Sequence, residues 1–469
     1  MTDNHQPETV TIVGAGITGL AAAWKIQQLS PQTRITVLES SDRVGGVLQT
    51  KHIDGYLVEQ SADMFTCQPP TALELCRELG LEDQLLTTAE PKDKAFVGLG
   101  GKVVPVPAGF SLMVPSQEDS IRSWPLLSES GKQRLLDEVN VAARDYNGNG
   151  DADEDFASFA IRRFGQEAFD ALIQPLVSGI YSADPKMLSM NATMSRFVEM
   201  EKEHGSLIAA VKQKATSSDA KASGARYNLF RSPAQGFGSL VSALVGDLKN
   251  VEIQSGRQVR EISTAASRWQ IALEDTAIES EAVIVATPAD VSARLLKSFE
   301  SLSGELSGIK STSCAIVVMG IDRSELPKDF DGFGIIYPHI DEGKTIAISF
   351  ASNKFSGRAP EGKLLLRFFI GGAMQESLVD LPDDELTGIA LDQFETSLGV
   401  RPNADFTEVF RWKNAMPQYH VGHLDRVGRI EQRVSQIPGL ELAGKSYRGV
   451  GIPACVASGF ASAERIFGK

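Results

Sequence analysis

Gly14, Gly16 and Gly19 stand at GxGxxG spacing in Val10-Thr-Ile-Val-Gly-Ala-Gly-Ile-Thr-Gly19, and Glu39 follows twenty positions after the last of them. Residues of these types at this spacing can grip a dinucleotide. Gly14 allows a tight turn, Gly16 lets backbone approach a pyrophosphate, and Gly19 lets a helix pack close to the preceding strand. A carboxylate at the end of the second strand can accept hydrogen bonds from ribose hydroxyls. The elements that must position this set are legible around it. The β-branched run Thr9–Val13 suits a buried parallel strand, Thr18–Leu29 a helix aiming its N-terminal amides at phosphates, and Arg34–Glu39 a second strand. The unit predicts NAD(P) or FAD.

The residues after Glu39 favour FAD. Arg43-Val44-Gly45-Gly46 comes at once, with a charge able to face phosphate and two glycines able to let the chain pass beside a flavin. A hairpin then follows, with Leu48–Ile53 and Tyr56–Gln60 flanking the Asp54-Gly55 turn. An NAD(P)-linked dehydrogenase would more often continue into another βα unit. At the far end, Arg448-Gly-Val-Gly-Ile-Pro453 opens a final helix, with proline well placed at its start. A helix N-terminus and bare amides there can stabilise the negative charge of a reduced flavin.

The 469 residues suffice for about three domains. Their net charge of −14 argues against sequence-independent nucleic-acid binding and requires a local cationic patch for any anionic substrate. Cys67, Cys76, Cys314 and Cys455 form no CxxC pair, so they read as reduced thiols and not as a redox disulfide. His420 and His423 attract no further ligands, and no metal is expected. Asp145–Phe156 begins like a calcium loop, but Phe156 stands where the bidentate glutamate belongs, so it reads as an exposed turn before a helix. The polar N-terminus and the lack of an apolar run of about 20 residues predict a cytoplasmic protein, with peripheral contact to a membrane face left open.

A coarse pass predicts α/β architecture with a discontinuous nucleotide-binding domain from residues 1–90, 225–295 and 425–469. Its later pieces are a helix from Gln235 to Leu248, strands at Val251–Gln254, Arg257–Ile262, Ala282–Thr287 and Leu440–Ala443, and the last helix from Pro453 to Phe467. Residues 91–224 read as largely helical after a hairpin at Lys94–Val97 and Lys102–Val104. Phe156, Phe159, Ala160 and Phe164 lie at helical spacing, and Gly165 reads as the stop. Thr216–Gly224 reads as a mobile loop. Residues 296–424 carry strand-like runs at Ser311–Ile321, Gly334–Tyr337, Thr345–Phe350 and Leu364–Ile370, then a helix over Asp383–Gly399. They predict an antiparallel-sheet domain for substrate.

Four blocks together resemble one family. They are the N-terminal fingerprint, Gly179-Ile-Tyr-Ser-Ala-Asp-Pro-Lys-Met-Leu-Ser-Met190, Ala415-Met-Pro-Gln-Tyr-His-Val-Gly-His423 and Leu442-Ala-Gly-Lys-Ser-Tyr-Arg-Gly-Val-Gly-Ile452. The chain resembles the FAD-dependent protoporphyrinogen/coproporphyrinogen oxidases of haem biosynthesis over nearly its whole length. The fingerprint alone is shared with flavin amine oxidases and phytoene desaturases. The resemblance implies a Rossmann-like FAD domain of the p-hydroxybenzoate hydroxylase/amine oxidase type, a substrate domain and a helical domain.

It also implies the reaction: six-electron dehydrogenation of coproporphyrinogen III or protoporphyrinogen IX, with molecular oxygen as acceptor and hydrogen peroxide as product. Contact with other haem-biosynthesis enzymes and oligomeric state stay open. The implied contacts of a non-covalent FAD are Gly14, Ala15, Gly16, Ile17, Thr18, Gly19, Glu39, Ser40, Arg43, Gly45, Gly46, Val47, Ser61, Ala62, Asp63, Met64, Val259, Val450, Gly451 and Ile452. Cys455 lies inside the last helix, so no covalent tether is evident. No catalytic side chain is assigned, because flavin N5 takes the hydride. For substrate, Lys94 stands where some members have an arginine, a change that gives up bidentate carboxylate binding. Gly179 reads as a bare face for a macrocycle or a plain turn, and Ile335 as an apolar wall or core strand. Tyr419, Lys413 and Arg448 complete the candidates. A non-catalytic flavin-binding protein is the alternative from another class.

Overall fold

The computed structural model describes residues 6–89, 95–146, 153–216, 229–265, 268–327 and 330–468. Lys94, residues 147–152 of the Asp145–Phe156 stretch and residues 217–224 lie outside them. Thr9–Val13, every residue β-branched, forms the central strand of a five-stranded sheet. The order is Val251–Gln254, Arg34–Leu38, Thr9–Val13, Ala282–Val285, Leu440–Leu442, and every pairing is parallel. Val13 lies opposite both Leu38 and Val285. The strands thus come from three separated stretches of chain.

Parallel strands need cover on both faces. On one face lie the first helix, Ile17–Leu29, the helix Phe237–Asp247 and the last helix, Ile452–Ile466, around Leu20, Ile26, Leu240 and Val456. The first and last helices meet backbone to backbone: a Cβ at Gly459 would lie 2.4 Å from the Thr18 carbonyl oxygen. On the other face, Trp269 and Ile271 of a three-stranded antiparallel sheet (Glu261–Ala265, Arg268–Ala272, Ala277–Ser280) share a core with Val283, Val285 and the helix His423–Val434.

A second, seven-stranded sheet runs Phe406–Pro417, Ser311–Asp322, Lys363–Gly371, Thr345–Phe350, Gly334–Ile336, Ala95–Leu99, Lys102–Pro105. Only the pairing of Gly334–Ile336 with Ala95–Leu99 is parallel. Leu386, Ala390 and Phe394 of the helix Asp383–Leu398 pack on it. Helices between 118 and 216 surround Phe156, Phe159, Phe164 and Leu172. Within them the fully buried Arg163 donates to Glu138 Oε1 (Nε, 2.8 Å) and to the Gly205 carbonyl (3.1 Å). Glu138 in turn accepts the Leu207 and Ile208 amides at the start of the helix Leu207–Thr216.

Two expectations change. Arg257–Arg260 is not strand, because its amides reach out singly, Arg257 to Glu39 and Arg260 to Ala272; the strand is Glu261–Ala265. Gly179 lies within the helix Gln174–Tyr181, not a turn, and the helix ends where Ser182 turns left-handed at φ +48°. The long edge strand Phe406–Pro417 and the helix His423–Val434 were not foreseen.

Candidate functional site

The glycine turn has the geometry its spacing demands. Gly14 adopts φ +104°, and a Cβ there would lie 2.7 Å from the Ala286 carbonyl oxygen. A Cβ at Gly19 would meet the Gly14 oxygen at 1.9 Å. The second glycine pair docks on the first: the Gly45 amide donates to the Ala15 carbonyl at 2.8 Å, and Gly46 faces the Gly16 Cα. Glu39 Oε2 accepts the Ala15 amide and Oε1 the Ser41 amide, each at 2.9 Å. Its carboxylate therefore locks the turn while keeping lone-pair capacity on Oε2. Ser40 bonds the same carboxylate at 3.3 Å.

Arg43 turns inward, donating to the Gly46 and Val44 carbonyls at 2.9 and 3.4 Å, and so clamps its own loop. Ser61 ties the next segment to this loop through its hydroxyl, which donates to the Val47 carbonyl at 2.5 Å. Ala62 and Met64 are half-buried beside it. Ile17 and Thr18 are buried in the first helical turn, and Val259 is buried in the core that holds Leu38.

Asp63 belongs to a buried charge cluster that the sequence reading missed. Lys354 Nζ lies 2.9 Å and Arg367 Nη1 3.2 Å from its carboxylate. Burial would raise the Asp63 pKa, but these two cations outweigh it and hold the carboxyl well below the usual range. Its side chain is thereby committed to them. Arg367 also donates to the Ser61 carbonyl, so the cluster buttresses the Ser61–Met64 segment. Glu59 lies nearby, accepting the Phe237 amide at 2.7 Å and the Thr50 hydroxyl at 3.0 Å. A lone arginine inside the apolar run Leu364-Leu-Leu-Arg-Phe-Phe-Ile370 was the available signal, since a charge there needs a buried partner.

At the other end of the chain, Gly451 caps the last helix without a side-chain bond, as Gly16 does the first. The approach, which carries Val450, is braced by Tyr419. Its hydroxyl donates to the Lys445 carbonyl at 2.5 Å and accepts the Gly449 amide at 2.8 Å. The ring stacks on His423 with centroids 4.0 Å apart, and His423 Nε2 bonds the Tyr447 carbonyl at 2.7 Å. Burial lowers the His423 pKa.

Tyr419 is therefore an internal brace and not a substrate contact. Of the two readings of Ile335, the core strand holds: it is wholly buried in the core of the seven-stranded sheet. Lys413 and Arg448 are neutralised by Asp380 at 2.7 Å and Glu431 at 2.5 Å. Gly179 is exposed next to Ser178, which lines a cleft with Gln174, Ser182, Thr345, Gly372 and Gln375. Exposed apolar side chains lie about this region: Ile180, Met187, Met374 and Val421. The Val421 amide bonds the Met187 carbonyl, and the Ala373 amide bonds that of Ser182.

Two glycine turns, a carboxylate at the end of the second strand and two helix starts without side-chain caps are the parts of a dinucleotide-binding fold. The sequence matches the family described as Flavin containing amine oxidoreductase over residues 17–467. It is 32% identical to coproporphyrinogen III oxidase of Bacillus subtilis, across 97% of this chain and 96% of that protein. It is 30% identical to coproporphyrinogen III oxidase of Staphylococcus aureus, across 98% and 99%. The crystal structure of a provisionally assigned protoporphyrinogen oxidase from Exiguobacterium sp. 255-15 superposes with a TM-score of 0.86 at 28% identity, covering 98% of each chain. The chain belongs to the flavin-containing amine oxidoreductase family. It is a flavin-dependent oxidoreductase, and its cofactor is FAD, the flavin that a dinucleotide fold accommodates.

The residues fit that group. A Cβ at Gly16 would meet nothing nearer than the Gly46 Cα at 4.0 Å, so bare backbone is open to a close-lying ligand. Neither helix start carries a side-chain cap, which leaves first-turn amides for an anion.

Proposed function

We propose that the protein oxidises a porphyrinogen, coproporphyrinogen III before protoporphyrinogen IX, to the porphyrin. Full-length likeness to coproporphyrinogen III oxidases is the observation that carries the substrate. In this reading molecular oxygen is the acceptor, each two-electron step yields one hydrogen peroxide, and three steps remove the six electrons. FAD is held without a covalent bond by residues 14–19, 39, 40, 43, 45–47, 61–64, 259 and 450–452. When bound, the flavin supplies hydride acceptance and return of the electrons to oxygen.

The chain's own residues then bind, orient and exclude water. Glu39 would hold the ribose while fixing the turn, and the two uncapped helix starts would offer their amides to the cofactor's negative charge. The Asp63–Lys354–Arg367 cluster keeps the Ser61–Met64 segment rigid, so that it would hold the cofactor in a fixed pose. No side-chain nucleophile is required, since the pyrroles already activate a porphyrinogen meso carbon for hydride loss. Exposed Ile180, Met187, Met374 and Val421 suit the entry of a flat apolar macrocycle, and the same face supports peripheral contact with a membrane. No helix among the described residues is long and apolar enough to cross one. Lys94, just ahead of the strand Ala95–Leu99, is proposed as a propionate partner. The division into a nucleotide domain (1–90, 225–295, 425–469), a helical domain (91–224) and a substrate domain (296–424) is proposed with it.

Anaerobic mixing tests the proposal. Coproporphyrinogen III should bleach the oxidised flavin bands within one turnover, and oxygen should restore them. A flavin that stays oxidised with both porphyrinogens refutes it.

A further inference from the structure

Two of the seams around the seven-stranded sheet are built differently. Toward the nucleotide-binding sheet the join is ionic and buried. Lys354 and Arg367 hold Asp63, and Arg358 donates to the Ser232 hydroxyl at 2.8 Å and to the Pro233 and Ala234 carbonyls at 2.8 and 3.0 Å. Parting it would strand charges away from water. Toward the helical layer the join is neutral. There the helix Gln174–Tyr181 meets the loop after the strand Lys363–Gly371 beside a cleft of about 400 Å³, its open mouth included, lined by Ser178, Ser182, Gly372 and Gln375.

The two ends of this helix are held unequally. At its start, Gln174 accepts the His339 amide at 3.0 Å, and Pro175 and Val177 are buried. At its end Gly179 and Ile180 are exposed, and a short backbone bond closes the seam: the Ala373 amide donates to the Ser182 carbonyl at 2.8 Å. The bonds from Gln418 to the Tyr181 carbonyl and from the Tyr181 hydroxyl to the Thr193 carbonyl are longer, at 3.4 and 3.3 Å. Backbone suited to a pivot lies on both sides. A π-helical turn, Phe169–Ile173, precedes the helix, which stops at Ser182, a serine held left-handed at φ +48°. Opposite it, Gly371 and Gly372 are both left-handed, at φ +103° and +73°. Exposed Ile180 and Met374 stand close in sequence to the two bonded residues. We infer that residues 178–182 and 371–375 form a gate. It opens by parting the Ala373–Ser182 bond, pivots at the π turn and the glycine pair, and passes a flat apolar molecule between Ile180 and Met374. What passes rests on the porphyrinogen reading; the motion does not.

Hydrogen exchange of the holoenzyme, read by mass spectrometry, tests the motion. Peptides covering 178–182 and 372–376 should exchange at matching rates, at least about a hundredfold faster than Thr9–Val13, since local opening needs far less free energy than global unfolding. Core-like exchange in either segment overturns the inference; a frayed helix end alone would leave 372–376 slow. A cross-link tests the passage. A Cβ at Gly372 would lie 3.2 Å from the Ser182 Cβ, near the separation a disulfide spans, so Ser182→Cys with Gly372→Cys can be oxidised across the seam. Oxidised, the pair should slow anaerobic bleaching of the flavin by coproporphyrinogen III about tenfold or more, and reduction should restore it. Dithionite, a small reductant, should bleach both forms at one rate. Bleaching by coproporphyrinogen III that the cross-link leaves unchanged overturns the inference, and the exchange measurement decides it where the variant does not fold. Fast exchange of both segments in a parent that neither porphyrinogen bleaches supports the gate and refutes the substrate reading.

Discussion

Single residues in this protein divide between those that sequence spacing can reveal and those that only burial can. Gly14, Gly16, Gly19 and Glu39 are separated by little chain, and the backbone geometry each supplies follows from its type. Tyr419 was misread, and Ile335 stayed open between wall and core, because an aromatic hydroxyl and an apolar strand residue look alike in a core and in a cleft. The Asp63–Lys354 pair was illegible because its members lie 291 positions apart, and Arg367 showed only as a charge inside an apolar run. Glu59, beside this cluster, gives a measurable consequence. Burial pushes its carboxyl up to about 7, against the Phe237 amide, the Thr50 hydroxyl, Arg358 and Arg367. The folded value lies above the ordinary 4.5, so the stability Glu59 contributes is complete below that and is lost as pH rises through about 7. Glu59→Gln keeps an acceptor for the Phe237 amide but cannot ionise. Its melting temperature should therefore gain on the parent between about pH 5 and pH 8, by a free energy of up to about 3 kcal/mol. A constant difference across that range would show that Glu59 does not titrate there.

Among the elements, those with one dominant pattern were readable. Thr9–Val13, Thr345–Phe350 and Phe156–Phe164 carry β-branched runs or helical apolar spacing and formed within a residue or two of expectation. Phe406–Pro417 was missed because an edge strand half-open to solvent mixes Glu408, Arg411 and Lys413 with its apolar residues, and its ladder shifts register opposite Thr312 and Cys314. His423–Val434 was missed because five of its twelve residues are acidic or arginine. Charge is not always a surface mark. Arg163 is fully buried, and it joins two helices by holding Glu138, which caps a third. Arg163→Met should strand Glu138 without its cation and cost about 3–5 kcal/mol. Chemical unfolding of the purified variant checks this, and a loss below about 1 kcal/mol would mean that Glu138 is compensated elsewhere.

At the scale of the whole molecule, the five-stranded sheet is closed by residues from both ends of the chain, with Leu440–Leu442 pairing beside Ala282–Val285. The discontinuity of the sheet was legible because each segment has its own parallel-strand signature. How the helical layer and the seven-stranded sheet meet was not legible. That seam, at Ser178, Ser182 and Gly372, is made of side chains with no motif. The most direct test of the account is the aerobic conversion of coproporphyrinogen III by the purified flavoprotein, following porphyrin fluorescence and peroxide together. The account predicts coproporphyrin with about three peroxides per porphyrin, one for each two-electron step. A protein that holds FAD but leaves both coproporphyrinogen III and protoporphyrinogen IX unoxidised would contradict it.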